Sequence, residues 1–115
     1  MKSDTQVVLE QARAFIAQGF TKCAEARDRE GGLVPFNSKE ACSFCIIGAV
    51  YRAGLAPDAL AEQRLIRPVI AALVGVIPVV NHKSLSLYND APDTTQQDVL
   101  DLFDRALKGV QAVDG

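Results

Sequence analysis

Residues 85–110 read LSLYNDAPDTTQQDVLDLFDRALKGV and join a polar turn to an amphipathic helix. Pro92 restrains the approach to this helix, which is predicted to begin at Asp93 or Thr94. Thr94 and Gln97 have the spacing of a capping box, in which two side chains satisfy backbone N–H groups of the first turn. Apolar residues then recur at helical spacing and predict one buried stripe. The stripe consists of Val99, Leu102, Phe103, Ala106 and Val110.

The opposite face of this helix carries two acid-before-base pairs at four-residue spacing. Asp101 precedes Arg105, and Asp104 precedes Lys108. Such pairs each stabilise a helix by roughly 0.2–0.5 kcal/mol. We therefore expect a solvated face here and not a docking surface.

The length and composition are those of one globular domain. A chain of 115 residues can bury a single core, so we expect one domain over residues 1–115. With 49% hydrophobic and 23% charged residues, the composition predicts a folded chain and not a disordered one. The net charge is −2, and the 12 Lys and Arg residues are scattered, which leaves no basic patch for phosphates. We therefore expect no nucleic-acid partner.

Neither a membrane span nor secretion is expected. Residues 69–80 form the longest apolar run, and Gly75 and Pro78 interrupt it. The amino-terminal residues lack the apolar stretch of a signal peptide. Three cysteines are an odd number for a disulfide framework, so we expect reduced thiols and a cytoplasmic location.

The amino-terminal third predicts one helix followed by an irregular segment. A helix is predicted over Asp4–Gln18, because Ser3 and Gln6 have capping-box spacing and Gly19 is a stop signal. Between residues 20 and 38 the helical period disappears. Weak alternation around the glycines at 31 and 32 predicts either a β-hairpin at about residues 24–36 or an ordered loop.

Two more helices are predicted in the middle of the chain. Residues 39–53 form the first, with Asn37 or Ser38 as its cap, and small residues on one face let another helix approach closely. The second carries Pro57 in its first turn, and Pro68 kinks it or divides it in two. Its inward apolar positions are Leu60, Ile66, Val69, Ile70 and Leu73.

These elements predict a mainly α fold, a compact bundle of four to five helices with or without a small β-hairpin around residues 24–36. The apolar positions of the first, second and last helices define the expected core. That core consists of Phe15, Phe44, Ile47, Val99, Leu102 and Phe103.

Four side chains are weak candidates for a zinc site: Cys23, Cys42, Cys45 and His82. A structural zinc site needs four ligands that converge, usually from short knuckles. Here Cys42 and Cys45 lie within a predicted helix, and His82 is the chain's single histidine. A redox role for the CxxC pair lacks the expected strand-to-helix setting. The cysteines are therefore interpreted as small buried residues, and we predict no metal and no cofactor.

Three hypotheses remain for Cys45 and the Asn89–Asp90 pair. In the first, Cys45 is a nucleophile near a helix N-terminus, His82 is its base, and Asn89 or Asp90 orients that base. This enzyme hypothesis requires an exposed Cys45 of low pKa within reach of His82. In the second, Asn89 and Asp90 form hydrogen bonds to nearby backbone and are purely structural. In the third, Cys45, Asn89 and Asp90 line a polar pocket for a small molecule or metal.

Several segments together resemble a family of small proteins of unknown function from bacterial and phage genomes. They are Gly19-Phe20, residues 26–28, Gly31, residues 45–53 and residues 87–106. Members of that family show Gly-Trp, Trp-Cys-x-x-Gly-Ala and Trp-Asn-Asp-x-x-x-x-Thr motifs. This chain has Phe20, Phe44 and Tyr88 at the tryptophan positions, and Cys23, Cys42 and His82 fall outside the motifs. The resemblance implies a helical fold, no known activity, and an accessory role in phages or mobile elements.

The sequence therefore favours a non-enzymatic protein-interaction or regulatory module, because its catalytic inventory is small. The alternatives are a cysteine-dependent enzyme and a small-molecule or metal-binding module. The expected partner is another protein or a second copy, since residues 66–80 carry more apolar side chains than one buried helix face needs.

Overall fold

A computed structural model describes residues 2–78 and 84–114. The mainly α fold is as predicted, and it includes a small three-stranded antiparallel sheet. A π-helical turn, Glu62–Ile66, joins two short α-helices into one continuous helical segment over residues 59–74. The elements are α1 (Asp4–Gln18), β1 (Ala26–Arg27), β2 (Leu33–Val34), β3 (Ser43–Phe44), α2 (Ile46–Gly54), α3 (Ala59–Ala61), α4 (Arg67–Val74), α5 (Leu85–Asp90) and α6 (Gln96–Asp114).

Helix α1 has the predicted boundaries. The Ser3 hydroxyl accepts a hydrogen bond from the Gln6 backbone N–H at 3.2 Å, which caps the first turn. Gly19 ends the helix where β3 passes close by. A Cβ atom at Gly19 would lie only 2.4 Å from the carbonyl oxygen of Cys42, so this contact requires glycine. The side chains that α1 buries are Val8, Leu9, Ala12 and Ile16.

Of the two alternatives for residues 24–36, a β-hairpin or an ordered loop, the structure has the hairpin. Strand β1 lies in the centre of the sheet, with β2 and β3 on either side. Ala26 pairs with Val34 across the hairpin and with Phe44 across the other edge. The hairpin turn is closed by Asp28, whose carboxylate accepts from the N–H groups of Glu30 and Gly32 at 3.0 and 2.8 Å.

The predicted start of the second helix is wrong. Residues 39–45 form a loop and β3, and α2 begins only at Ile46. The cause is long-range pairing: the N–H of Cys42 donates to Arg27 and that of Phe44 to Gly19, each at 2.9 Å. Backbone bonds to β1 and to the end of α1 thus replace the bonds of a longer helix. The small residue at Gly48 allows the chain just before β1, and not another helix, to come close to α2. A Cβ at position 48 would lie 2.0 Å from the Glu25 carbonyl oxygen.

The third helical segment is not divided; a π-helical turn interrupts its α-helical geometry, and its start differs from the prediction. Pro57 precedes the helix, and Asp58 caps it by accepting from the Ala61 N–H at 2.9 Å. The π-helical turn comes just before Pro68, which lies in the first turn of α4. Leu60, predicted to face inward, is 78% exposed. The segment buries Ala61, Ile66, Val69 and Leu73.

The predicted start of α6 at Asp93 or Thr94 is wrong, since the helix begins at Gln96 and its capping box lies one residue later than predicted. The Thr95 hydroxyl accepts from the Asp98 N–H at 3.1 Å, and the Asp98 carboxylate accepts from the Thr95 N–H at 2.9 Å. Thr94 is buried. The predicted apolar stripe is confirmed, with Val110 half-buried at its end. The four buried residues of the stripe are Val99, Leu102, Phe103 and Ala106.

Neither predicted acid–base pair on α6 forms in the structure. Asp104 instead binds Arg13 of α1 through two hydrogen bonds of 2.7 and 3.1 Å. Asp101 accepts from the Gln97 side chain at 2.9 Å. The Arg13–Asp104 pair therefore links the two long helices.

The core forms where α1 packs between α2 and α6. Of the six predicted core residues, Phe15 and Ile47 are only half-buried, and Phe15 lies against the Phe44 ring with centroids 5.2 Å apart. The four that are buried are Phe44, Val99, Leu102 and Phe103. Within the described ranges, no helix combines the length and apolar character needed to cross a membrane.

Candidate functional site

A concave pocket of about 250 Å³ lies where β3 turns into α2, next to α5. We call it the Cys45 pocket. It brings together three residues that the sequence singled out: Cys45, Asn89 and Asp90. Its remaining lining residues are Ala24, Glu25, Ile47 and Ser86.

Cys45 is the N-cap of α2. Its sulfur accepts a hydrogen bond from the Gly48 N–H at 3.2 Å, and its own N–H donates to the Glu25 carbonyl at 3.2 Å. The CxxC pair therefore lies at a strand-to-helix junction, with Cys42 before β3 and Cys45 after it, and not within a helix as predicted. A helix N-terminus is a setting that stabilises a thiolate.

Burial nevertheless raises the pKa of the Cys45 thiol above its ordinary value of 9.0. The N–H groups of Gly48 and Ile47 lower this pKa, and the negative charges of Asp90 and Glu25 raise it further. Desolvation is the largest of these effects, so the thiol remains protonated at neutral pH. This state is the opposite of the activated thiolate that the enzyme hypothesis requires.

Asn89 is 2% exposed, and its amide joins three segments of the chain. The amide oxygen accepts from the Ile46 N–H at 2.9 Å, in the first turn of α2. The amide nitrogen donates to the Thr21 carbonyl at 3.1 Å and to the Asp90 carboxylate at 3.0 Å. Each polar atom of this side chain therefore has a partner within the protein.

Asp90 secures the loop before β1. The carboxylate oxygen that accepts from Asn89 also accepts from the Cys23 N–H at 2.9 Å. Cys23 adopts a left-handed backbone conformation with φ of 60°, which non-glycine residues seldom take. The bond to Asp90 helps to hold that conformation. The Asn89–Asp90 pair thus has a structural explanation, which is the second of the three hypotheses.

Two further sequence candidates, Cys23 and Cys42, do not line the Cys45 pocket. Cys23 is exposed, Cys42 is half-buried, and all three cysteines are free thiols. Among residues 2–78 and 84–114 no group of three His, Cys, Asp or Glu side chains is placed to hold a metal ion. His82 lies outside the described residues, so its proposed roles as zinc ligand and as base stay predictions.

Sequence reasoning missed two polar residues of the pocket, Glu25 and Ser86. Ser86 lies one turn before Asn89 and Asp90 on α5. Predicting a helix over residues 85–90, instead of a turn, would have placed Ser86 on the same side of the chain as these two residues. Glu25 reaches the pocket through the pairing of β1 with β3, and no local pattern indicates this position. Its carboxylate accepts from the Phe36 N–H at 2.9 Å.

A second concave surface, larger and more apolar, lies along α4. We call it the α4 groove, and its volume is about 630 Å³. Tyr51 of α2 forms one wall and donates its hydroxyl to Glu62 at 2.6 Å, a bond that raises the pKa of Tyr51. Val74 is 40% exposed in this groove. The full lining is Tyr51, Glu62, Ile66, Arg67, Ile70, Ala71, Val74 and Gly75.

Comparisons with known proteins give one result. The family described as "Family of unknown function (DUF6197)" matches residues 1–108. No curated protein and no solved structure gives a significant match. The comparisons therefore assign no reaction, ligand or partner to either surface.

Proposed function

The chain belongs to the family of unknown function DUF6197, and we propose that it is a non-catalytic protein-interaction module that docks a partner through the α4 groove. The observation that carries this proposal is the apolar lining of that groove. Soluble proteins seldom expose a contiguous apolar patch, and such patches mark interaction sites when polar residues surround them.

The groove has the composition of a binding surface. Ile70 and Val74 supply aliphatic area, and Tyr51 adds an aromatic wall whose hydroxyl is held by Glu62. Buried tyrosines contribute strongly at interfaces because they present a large rigid surface with one polar atom. Among the described residues that line the groove, the charged ones are Glu62 and Arg67, near one end. A partner that covers the groove would bury aliphatic surface without burying many charges.

The Cys45 pocket supports the non-catalytic part of the proposal. The amide of Asn89 is fully engaged, and the Cys45 sulfur already accepts a backbone hydrogen bond. The raised pKa of Cys45 disfavours a thiolate nucleophile at neutral pH. These groups are therefore explained by the cap of α2 and by the loop before β1.

Site-specific photo-crosslinking in cells tests the proposal. A photo-reactive amino acid replaces Val74 in the groove, and a matched variant carries it at Leu33, which is 71% exposed on the hairpin. We expect a discrete crosslinked protein from position 74, none from position 33, and loss of the product when Ala71→Glu is added. Equal or absent crosslinking at the two positions would contradict the proposal.

A second candidate is a small-molecule site in the Cys45 pocket. The carboxylates of Glu25 and Asp90 both line it, which favours a ligand with an amine or guanidinium group. The volume of about 250 Å³ suits a ligand below drug size. Titration with spermidine and with arginine tests this function. Saturable binding that Ser86→Phe abolishes would support it, and the absence of heat with both probes would count against it.

Two further inferences concern the setting of the module. Three free thiols favour a reducing compartment such as the cytoplasm. The resemblance to phage-associated proteins favours an accessory role over a metabolic one. Fractionation of cells that make the protein, with the redox state of the thiols measured in the same sample, tests the first inference.

A further inference from the structure

The α4 groove carries two opposite charges close together. Glu62 lies in the π-helical turn and Arg67 at the start of α4, five residues later. Glu62 accepts from Tyr51 through one carboxylate oxygen, Oε1. Within residues 2–78 and 84–114, Arg67 takes part in none of the ion pairs, which join Lys2 to Glu10 and Arg13 to Asp104. The groove therefore offers one acid and one base to whatever covers it.

This charge pattern is self-complementary. In a two-fold dimer, when residue i of one copy contacts residue j of the other, residue j of the first copy also contacts residue i of the second. A two-fold axis that passes between positions 62 and 67, with the helical segments antiparallel, places Glu62 of each copy opposite Arg67 of the other. A parallel arrangement would oppose like charges. An unrelated partner would need a separate matching pattern, whereas a second copy already has it.

The outward positions of α4 also permit close approach. Ala71 and Gly75 are both exposed and lie four residues apart, hence on one side of the helix. Nothing in the described part of the chain requires glycine at position 75. A Cβ there would meet the carbonyl oxygens of Ala71 and Ala72, at the ordinary distances of 3.4 and 3.7 Å. Under this axis positions 71 and 75 face positions 58 and 54 of the other copy, and small residues there let the backbone that leads into its helical segment come near.

We propose that the occupant of the α4 groove is a second copy of this chain, packed antiparallel about a two-fold axis, with reciprocal Glu62–Arg67 ion pairs. This inference rests on the proposed function and names its partner. With the axis midway between positions 62 and 67, the helical segments of the two copies overlap over residues 59–70, about 18 Å at 1.5 Å per residue. One such face per copy buries an area at the low end for protein complexes, so we expect a dimer Kd in the micromolar range.

Charge reversal with sedimentation equilibrium tests the pairing. Arg67→Glu alone sets two acids against each other in the homodimer, and Glu62→Arg alone sets two bases against each other. We expect each variant to raise the dimer Kd about tenfold or more, since both pairs of the dimer are affected. An equimolar mixture of the two variants restores all attractive pairs in a heterodimer. We expect it to associate about as tightly as the natural chain.

Matched controls separate local charge from net charge. Arg29→Glu and Glu30→Arg make the same charge changes at exposed positions in the hairpin turn, and we expect both to keep the natural dimer Kd. Circular dichroism and the thermal midpoint show that every variant is folded. Glu62→Gln keeps an acceptor for Tyr51 and removes only the charge, so we expect a smaller rise in Kd than for the reversal.

The outcomes distinguish this inference from the proposed function. A natural chain that stays monomeric at about 0.5 mM, or a mixture that fails to re-form a dimer, overturns the inference. If position 74 still crosslinks to a different protein in that case, the proposed function stands with another partner. If it crosslinks to nothing, both fail. A dimer that responds to the charge reversals as described supports both.

Discussion

At the scale of single residues, Asn89 is the side chain on which the site's geometry depends most. Its amide holds the first turn of α2 and the loop at Thr21 at the same time. Truncation would leave the Ile46 N–H buried without a partner, and an orphaned buried polar group costs about 1–3 kcal/mol. The motif around Asn89 is thus explained by folding before any ligand is considered.

We predict that Asn89→Ala lowers the free energy of unfolding by about 3 kcal/mol, because it removes three hydrogen bonds and orphans buried backbone groups. Urea denaturation followed by circular dichroism measures this. Asn37→Ala is the matched control: Asn37 is exposed and makes no side-chain hydrogen bond within the described residues, so we expect a change below about 0.5 kcal/mol. Equal effects at the two positions would refute a structural role for Asn89.

Cys45 gives a prediction about pH. Because burial raises the pKa of this thiol in the native state, the unfolded chain releases the proton first as the pH passes 9.0. The unfolded state then binds fewer protons than the native state, so the contribution of Cys45 to stability is present at lower pH and is lost as the pH rises. We predict that the natural chain loses more stability between pH 8 and pH 10 than Cys45→Ser does.

Urea midpoints at several pH values measure that difference. The tyrosines titrate in both proteins, so the comparison isolates the cysteine. Parallel stability curves would show that the thiol of Cys45 has an ordinary pKa, and would return the enzyme hypothesis to consideration.

At the scale of elements, the approach of α2 to the residue before β1 is the tightest contact of a glycine among the described residues. A Cβ at Gly48 would lie 2.0 Å from the Glu25 carbonyl oxygen, which belongs to the backbone and cannot rotate away. At Gly109 of α6, no atom of the residues that the structure describes lies within 4 Å of the Cβ position. Both glycines lie in helices, so alanine raises the helix propensity equally at the two sites.

We predict that Gly48→Ala lowers the free energy of unfolding by about 3 kcal/mol, whereas Gly109→Ala raises it by about 0.5–1 kcal/mol. Thermal and urea unfolding of the two variants measure the contrast. A stabilised Gly48→Ala protein would mean that β1 does not approach α2 as closely as described.

The elements that sequence reasoning predicted well are those that local patterns determine. Helix α1 has its cap and its buried face within its own 15 residues, and the stripe of α6 is likewise local. The start of α2 is set by backbone bonds from Cys42 and Phe44 to distant partners, which no helical pattern of residues 39–53 reveals. The glycines at 31 and 32 indicated the hairpin as one of two alternatives. Nothing in the sequence indicated β3, because a strand of two residues is too short to show an alternating apolar pattern.

The candidate site, too, was predictable only in the part that does not depend on long-range contacts. Cys45 and the Asn89–Asp90 pair could be grouped in advance because they carried the family resemblance, and the structure brings them together. Glu25 enters the pocket only through sheet pairing, so it could not be predicted. The surplus of apolar residues after residue 66 indicated an exposed apolar surface in the region of the α4 groove. The wall at Tyr51 was not predictable, because it depends on how α2 packs.

At the scale of the whole molecule, the Cys45 pocket and the α4 groove differ in how far their side chains are already occupied by contacts within the protein. The pocket's polar groups are largely occupied by contacts that connect the sheet, α2 and α5. The groove, by contrast, leaves aliphatic side chains and an arginine open to solvent. Its two charges also predict how association responds to salt.

We predict that self-association weakens about threefold in Kd when sodium chloride rises from about 0.05 M to about 0.5 M, since exposed ion pairs are screened at that ionic strength. The aliphatic contacts oppose a larger change, because salt does not weaken apolar burial. Sedimentation at the two salt concentrations measures the Kd values. Tighter association at high salt would show that the Glu62–Arg67 pairs do not form.

The most direct test of the central claim asks whether the α4 groove is covered in the cell. Val74→Cys and Leu33→Cys variants are labelled with a membrane-permeant maleimide in living cells and as dilute purified proteins, and labelling is resolved by mass spectrometry. We predict that position 74 reacts several-fold more slowly in cells than in dilute solution, while position 33 reacts equally in both. Equal rates at position 74 in the two settings would contradict a docking function for the groove.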